Sequence, residues 1–116
     1  MAQTPEGKVK AKVDKILAKF NCYCVKPVTG GYGSSGVPDI LVLLDGKFIG
    51  IECKAGKGEP TLLQIHHLKQ IVANGGYSMI INETNLPQLE EVLCKIQQKQ
   101  IPPSMVLTAS MRSGDL

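Results

Sequence analysis

Two short strings carry the residues of this sequence that could do chemistry together: Pro38-Asp39 and Glu52-Cys53-Lys54. Between them lies Asp45-Gly46, a dipeptide that favours the two-residue turn of a tight β-hairpin. Such a turn pairs Leu44 with Lys47, and the same register carried back along both strands sets Asp39 directly opposite Glu52. Opposed residues have Cβ atoms about 4.5–5.5 Å apart. Lys54 follows Glu52 by two residues and emerges on the same face. Paired carboxylates repel, and an apolar flank raises the cost. A divalent cation between them relieves it. Carboxylate oxygens are preferred ligands of Mg²⁺, which keeps several waters and completes its shell from phosphate. A lysine beside that site could orient a water or stabilise charge developing on phosphorus. From the residues alone two readings stand: a metal site for phosphate chemistry, and a cross-strand salt-bridge cluster at a strand end. A three-residue turn would move Asp39 to a diagonal position and weaken the first.

The flanking segments must position these groups. Thr4-Pro5-Glu6 predicts a helix start, with Thr as N-cap, Pro in the first helical position and an acid in the first turn. Val9, Val13, Ile16, Leu17 and Phe20 then recur at helical spacing, Lys8, Lys12, Lys15 and Lys19 form a second stripe, and Asn21 is the expected stop. Residues 22–28 predict a short strand ending near Pro27. The apolar run 40–44 suits a strand buried on both faces, and 47–54 is its return. After a polar loop, Thr61 caps a helix carrying Leu62, Ile65, Leu68, Ile71 and Val72, which Asn74-Gly75-Gly76 ends. A strand follows over 77–81. A last helix over about 85–98 puts Leu86, Leu89, Leu93 and Ile96 on one face, as core or in part as a dimer interface. Beyond Ile101, Pro102-Pro103 breaks the pattern and no periodicity returns. The order α-β-β-β-α-β-α predicts one α/β domain over 1–100, a mixed sheet flanked by helices, and a C-terminal tail over 101–116.

Other motifs carry less. Gly31-x-Gly33-x-x-Gly36 has the spacing of a dinucleotide fingerprint, and Gly31 to Gly36 the glycine spacing of a P-loop. Both mechanisms need a helix directly after the loop. Here Val37-Pro38-Asp39 and a strand follow, so the glycines read as a flexible turn or as a loop that lets a substrate backbone approach. Cys22, Cys24, Cys53 and Cys94 lack paired C-x-x-C spacing, and the two histidines are adjacent at His66 and His67. Buried free thiols in a reducing compartment fit that pattern better than a zinc site. Helix-surface or packing roles suit the histidines.

With these residues in view, the sequence resembles the PD-(D/E)xK nuclease superfamily. The strings are Ser35-Gly36-Val37-Pro38-Asp39, Gly50-Ile51-Glu52-Cys53-Lys54, and Pro60-Thr61 with Gln64. More narrowly it is similar to the VRR-NUC branch, including small stand-alone versions from bacterial viruses. The resemblance implies a restriction-endonuclease-like α-β-β-β-α-β core and a Mg²⁺-dependent phosphodiesterase acting on DNA, with Mn²⁺ as a substitute ion. It implies Asp39 and Glu52 as metal ligands together with the main-chain carbonyl of Cys53. Lys54 would position the attacking water and Gln64 would support the site. An acid on the first helix often joins such sites; Glu6 is the candidate, and a first-turn acid that complements the helix dipole is the other reading of it. Stand-alone members resemble Holliday-junction resolvases that act as homodimers on branched DNA.

Composition agrees with this class without selecting it. The 116 residues carry a formal net charge of +3, are 43% hydrophobic and 20% charged, and suit one soluble domain with a real core. No apolar run approaches the ~20 residues of a membrane helix, and no signal-peptide core is visible, so an intracellular protein without a membrane or nucleotide partner is expected. Five of the twelve lysines, Lys8, Lys10, Lys12, Lys15 and Lys19, fall in the first twenty residues, and the one arginine is Arg112. The lysine stripe could neutralise phosphates or be a solvated helix face; Ser35, Gly36 and Lys57 are further candidates for DNA contact. The five aromatics form no base-stacking platform. The activity that the resemblance implies is a metal-dependent, structure-selective DNA endonuclease acting at four-way junctions as a homodimer. A flap, duplex or restriction-type nuclease and a non-catalytic DNA-binding or replication-accessory module are the alternatives.

Overall fold

The computed structural model describes residues 3–28 and 35–111; Gly30, Gly31, Tyr32, Gly33, Ser34 and Arg112 lie outside them. Helix α1 (Pro5–Leu17) starts as its residues dictate, with Thr4 Oγ1 accepting from the Gly7 N–H at 3.0 Å and Pro5 opening the first turn. It buries Val9, Val13 and Leu17. The helix ends at Leu17 rather than at Asn21. Two tight turns follow, Lys19 N–H to Ile16 O and Phe20 N–H to Leu17 O, and these let Phe20 and Cys22 pack on the core as the chain reverses. Lys19 therefore lies past the helix, where it reaches Glu90 at 2.7 Å.

Strand β2 (Ile40–Leu44) pairs antiparallel with both β1 (Tyr23–Val25) and β3 (Lys47–Cys53). Asp45 and Gly46 both adopt positive φ, 49° and 80°, which is what a two-residue primed turn requires. The register runs from Leu44↔Lys47 to Ile40↔Ile51, as the tight turn predicts. Helix α2 (Leu62–Ala73) then crosses over to β4 (Tyr77–Ile81), parallel to β3. A 3-10 turn at Leu86–Gln88, with Pro87 inside it, leads into α3 (Leu89–Gln97).

The segment after Ile101 is not a structureless tail. Residues Met105–Thr108 form β5, parallel to β4, and complete a sheet of order β1-β2-β3-β4-β5. All four residues are half-buried, so no alternation marks the strand in the sequence.

Helices α1 and α3 share one face of the sheet with a core of Val9, Val13, Ile49, Ile51, Met79 and Leu93. Leu89, Leu93 and Ile96 are fully buried there, so that face of α3 is core and unavailable as a dimer interface. Helix α2 covers the β3–β4 half of the other face: Ile65 and Leu68 are buried, and Ser78 Oγ donates to Leu68 O at 2.7 Å. Leu62 lies off this stripe, 80% exposed in the first turn of the helix. On the uncovered half, Tyr23, Leu43 and Phe48 are paired across β1, β2 and β3, and each is exposed.

Candidate active site

Asp39 sits one residue before β2, at the open end of the hairpin, and the β2–β3 register carried one step further opposes it to Glu52. The clamp is direct. Asp39 Oδ2 accepts a 2.8 Å hydrogen bond from the main-chain N–H of Cys53, the neighbour of Glu52. The other oxygen, Oδ1, lies 3.5 Å from Lys10 Nζ, which is also 3.4 Å from Glu6 Oε2 one helical turn earlier. Glu52 is 1% exposed. Its Oε2 is 3.4 Å from Lys54 Nζ, whereas its Oε1 is buried with no hydrogen-bond partner among the described residues. A cleft of about 190 Å³, lined by Lys10, Lys26, Pro38 and Asp39, opens beside this group.

The electrostatics follow from burial and like charge. Burial pushes the Glu52 carboxyl up to about 7; Asp39 and, more weakly, Glu6 push the same way against Lys54. Burial likewise pushes the Cys53 thiol up to about 12, with Asp39 and Glu52 adding to it, so the thiol stays neutral and is spent on the core. At Lys10, burial opposes the charge, but Asp39 and Glu6 outweigh it and raise the pKa.

A buried acceptor without a partner costs about 1–3 kcal/mol. The orphaned Glu52 Oε1, beside a second carboxylate, is the environment a cation would relieve. The donors are hard oxygens: Asp39, Glu52 and the Cys53 carbonyl fit Mg²⁺ or Mn²⁺, with waters and phosphate completing the shell. Among the described residues no three His, Cys, Asp or Glu side chains converge as a metal cluster, so the protein's share of such a shell is small.

A solved structure of a VRR_NUC domain has a similar fold. That domain is similar to this chain with a TM-score of 0.63 and 22% identity, over 77% of this chain and 97% of that one. The fold is that of a VRR-NUC domain. No protein-family pattern and no curated protein matches the sequence.

Within the VRR-NUC fold the remaining candidates separate. Gln64 is engaged locally: its Oε1 accepts from the Thr61 N–H at 2.8 Å while its own N–H donates to Thr61 Oγ1 at 3.1 Å, a reciprocal capping box that opens α2. Lys8, Lys12 and Lys15 are exposed along α1, and Lys8 and Lys12 line a cleft of about 300 Å³ with Glu83 and Pro87. Lys57 is exposed in the loop after Lys54. That loop is held by Glu83, whose Oε1 and Oε2 accept from the Gly56 N–H at 2.9 and 3.2 Å. Ser35 and Gly36 dock on α2: His67 Nε2 is 3.0 Å from Ser35 O, and a methyl group at Gly36 (φ 85°) would lie 2.7 Å from Leu63 Cγ. A concavity of about 780 Å³ lies at the turn end of the hairpin between Gly46, Phe48, Gln70 and Pro102, away from the carboxylates.

Lys10 is the site residue that sequence reasoning counted only among the basic residues of the first helix. Its signal was present in the four-residue spacing from Glu6, which puts both side chains on one helix face. Nothing in the sequence pointed from that face to Asp39.

Proposed function

We propose that this chain is a Mg²⁺-dependent endonuclease that hydrolyses DNA phosphodiester bonds, acting as a homodimer on four-way junctions. The observation that carries the reading is Glu52: a buried carboxylate with one oxygen unpartnered among the described residues, set against Asp39 and flanked by Lys54. A side chain kept in that state lowers the stability of the free protein, which is the usual mark of a functional group. The VRR-NUC fold supports a nuclease, and the exposed lysines of α1 and the 55–58 loop support an anionic polymer as substrate.

Asp39 and Glu52 would hold the cation, with the Cys53 carbonyl as the third protein ligand. A bound Mg²⁺ supplies Lewis acidity toward a phosphate oxygen. Lys54, only 13% exposed and held by Glu52, keeps its ammonium at the edge of the site, where it can donate to a water or to a phosphate oxygen. Water adds to phosphorus, the bond to one sugar oxygen breaks, and that oxygen takes a proton. Lys8, Lys12, Lys15 and Lys57 would hold the flanking phosphates, and Ser35-Gly36 would pass close to the strand.

Junction resolution needs two such sites on opposed strands, and a two-fold dimer supplies them. The uncovered row of Tyr23, Leu43 and Phe48 supports association of two copies. The test is cleavage of a labelled four-way junction beside matched duplex and flap, with Mg²⁺, with EDTA, and with Glu52→Gln, alongside the molecular mass in solution. Paired nicks on the junction alone, lost with EDTA and in the variant, together with a dimeric mass, are expected. Cleavage of flap or duplex instead would keep the site and discard the substrate. Binding without any cleavage, equal in Glu52→Gln, would leave a DNA-binding module.

A further inference from the structure

We infer that the Lys10 ammonium takes the place of a second metal ion between Glu6 and Asp39, so that the site binds one divalent cation per chain. The inference rests on the proposed metal site and specifies its stoichiometry. Two-metal hydrolysis places its ions about 3.5–4 Å apart, with a carboxylate shared between them and further acids on either side. Here Asp39 is the carboxylate in the shared position, and both of its oxygens are engaged. Oδ2 takes the Cys53 N–H and Oδ1 faces Lys10. The acid on the far side is Glu6, and its Oε2 faces the same ammonium at 3.4 Å.

Lys10 holds this position from within the fold. Glu6 and Lys10 are one turn apart on α1, a helix anchored on the core by Val9 and Val13. A tethered cation is present at every ion concentration and pays no entropy of capture. Its ammonium lies 3.4 Å from Glu6 Oε2 and 3.5 Å from Asp39 Oδ1, so it faces two carboxylates at once.

Charge points the same way. With Glu52 ionised, Glu6, Asp39 and Glu52 against Lys10 and Lys54 leave one net negative charge. One divalent cation turns this into one net positive charge, matched to a single phosphodiester. A second, with both lysines in place, would leave three positive charges around one phosphate, and like charges at such distances are costly.

The experiment counts Mn²⁺ ions bound to the intact protein without DNA, by calorimetry and by the loss of free-Mn²⁺ spin resonance. The wild type is expected to bind one ion, abolished by Glu52→Gln. Lys10→Met, which keeps the length of the stem and removes the charge, is expected to bind two, and Lys10→Met with Glu6→Gln one again. Lys10→Gln repeats the count with a polar side chain, and Lys10→Arg should keep one. Two ions in the wild type, or one in both Lys10→Met and Lys10→Gln, would overturn the inference while leaving the metal site intact. No Glu52-dependent ion in the wild type would remove the proposed metal site, and the role of Lys10 with it.

Discussion

The main-chain N–H of Cys53 donates to Asp39 Oδ2 at 2.8 Å, tying the residue that opens β2 to the end of β3. The bond orients the carboxylate beside Glu52 and turns Oδ1 toward Lys10. It also separates what Asp39 does for the fold from what it does for chemistry.

Asp39→Asn keeps an oxygen able to accept that N–H but loses the negative charge. Its stability should stay within about 1 kcal/mol of the wild type in urea unfolding, while cleavage falls on the order of 100-fold or more. Asp39→Ala orphans the part-buried N–H and should cost about 1–3 kcal/mol besides. Equal stability losses in the two variants would show that the hydrogen bond is not what Asp39 contributes to the fold.

Glu52 makes the metal-free protein sensitive to pH with a defined sign. Its carboxyl is raised from 4.5 to about 7 in the folded state, so the fold favours the protonated form. Stability from this group is fully present below about 4.5 and is lost as pH rises to about 7. The loss is at most about 3 kcal/mol at 1.36 kcal/mol per pH unit. Unfolding free energies in EDTA should fall across that window, and Glu52→Gln should flatten the fall. Mn²⁺ affinity should rise over the same window, since only the ionised carboxylate is a ligand.

Gly50 connects the packing of α2 to the site. A methyl group there would lie 2.5 Å from Ile71 Cδ1 and 3.2 Å from the Pro38 ring. The Ile71 tip can turn aside; the proline next to Asp39 has less room. Gly50→Ala should cost about 1–3 kcal/mol and should lower cleavage at Mg²⁺ concentrations that saturate the wild type. A thermal melt and a Mg²⁺ titration of the rate check both.

Gln64 is tested by the chemistry of its cap. Thr61→Ala removes the acceptor of the Gln64 N–H and should cost about 1 kcal/mol. Gln64→Glu preserves the reciprocal box and should hold stability within about 0.5 kcal/mol. If positioning α2 is its whole part, Gln64→Glu should cleave as the wild type does, while Lys54→Ala should not. A cleavage defect in Gln64→Glu at unchanged stability would put its amide into the chemistry.

The candidate site was legible where local chemistry sets geometry. Asp45-Gly46 prefers positive φ at both positions, and that preference alone fixes the hairpin register and so the opposition of Asp39 and Glu52. Thr4, Pro5 and Thr61 marked helix starts because caps satisfy backbone donors one turn away. Leu62 is exposed although it is as apolar as Ile65 and Leu68, because sequence cannot tell which edge of a helix the sheet will reach.

The sequence by itself determined the hairpin, the helix starts and the convergence of two carboxylates with Lys54, since each depends on residues close along the chain. Tertiary structure decided the rest. Strand β5 exists because β4 offers it a partner, with a shift of register between Ser78 and Ile80 that no local pattern encodes. Lys10 meets Asp39 because α1 packs across β3, twenty-nine positions away in the chain. Glu52 loses its water because the fold packs around it, and desolvation of a carboxylate is a property of everything packed there.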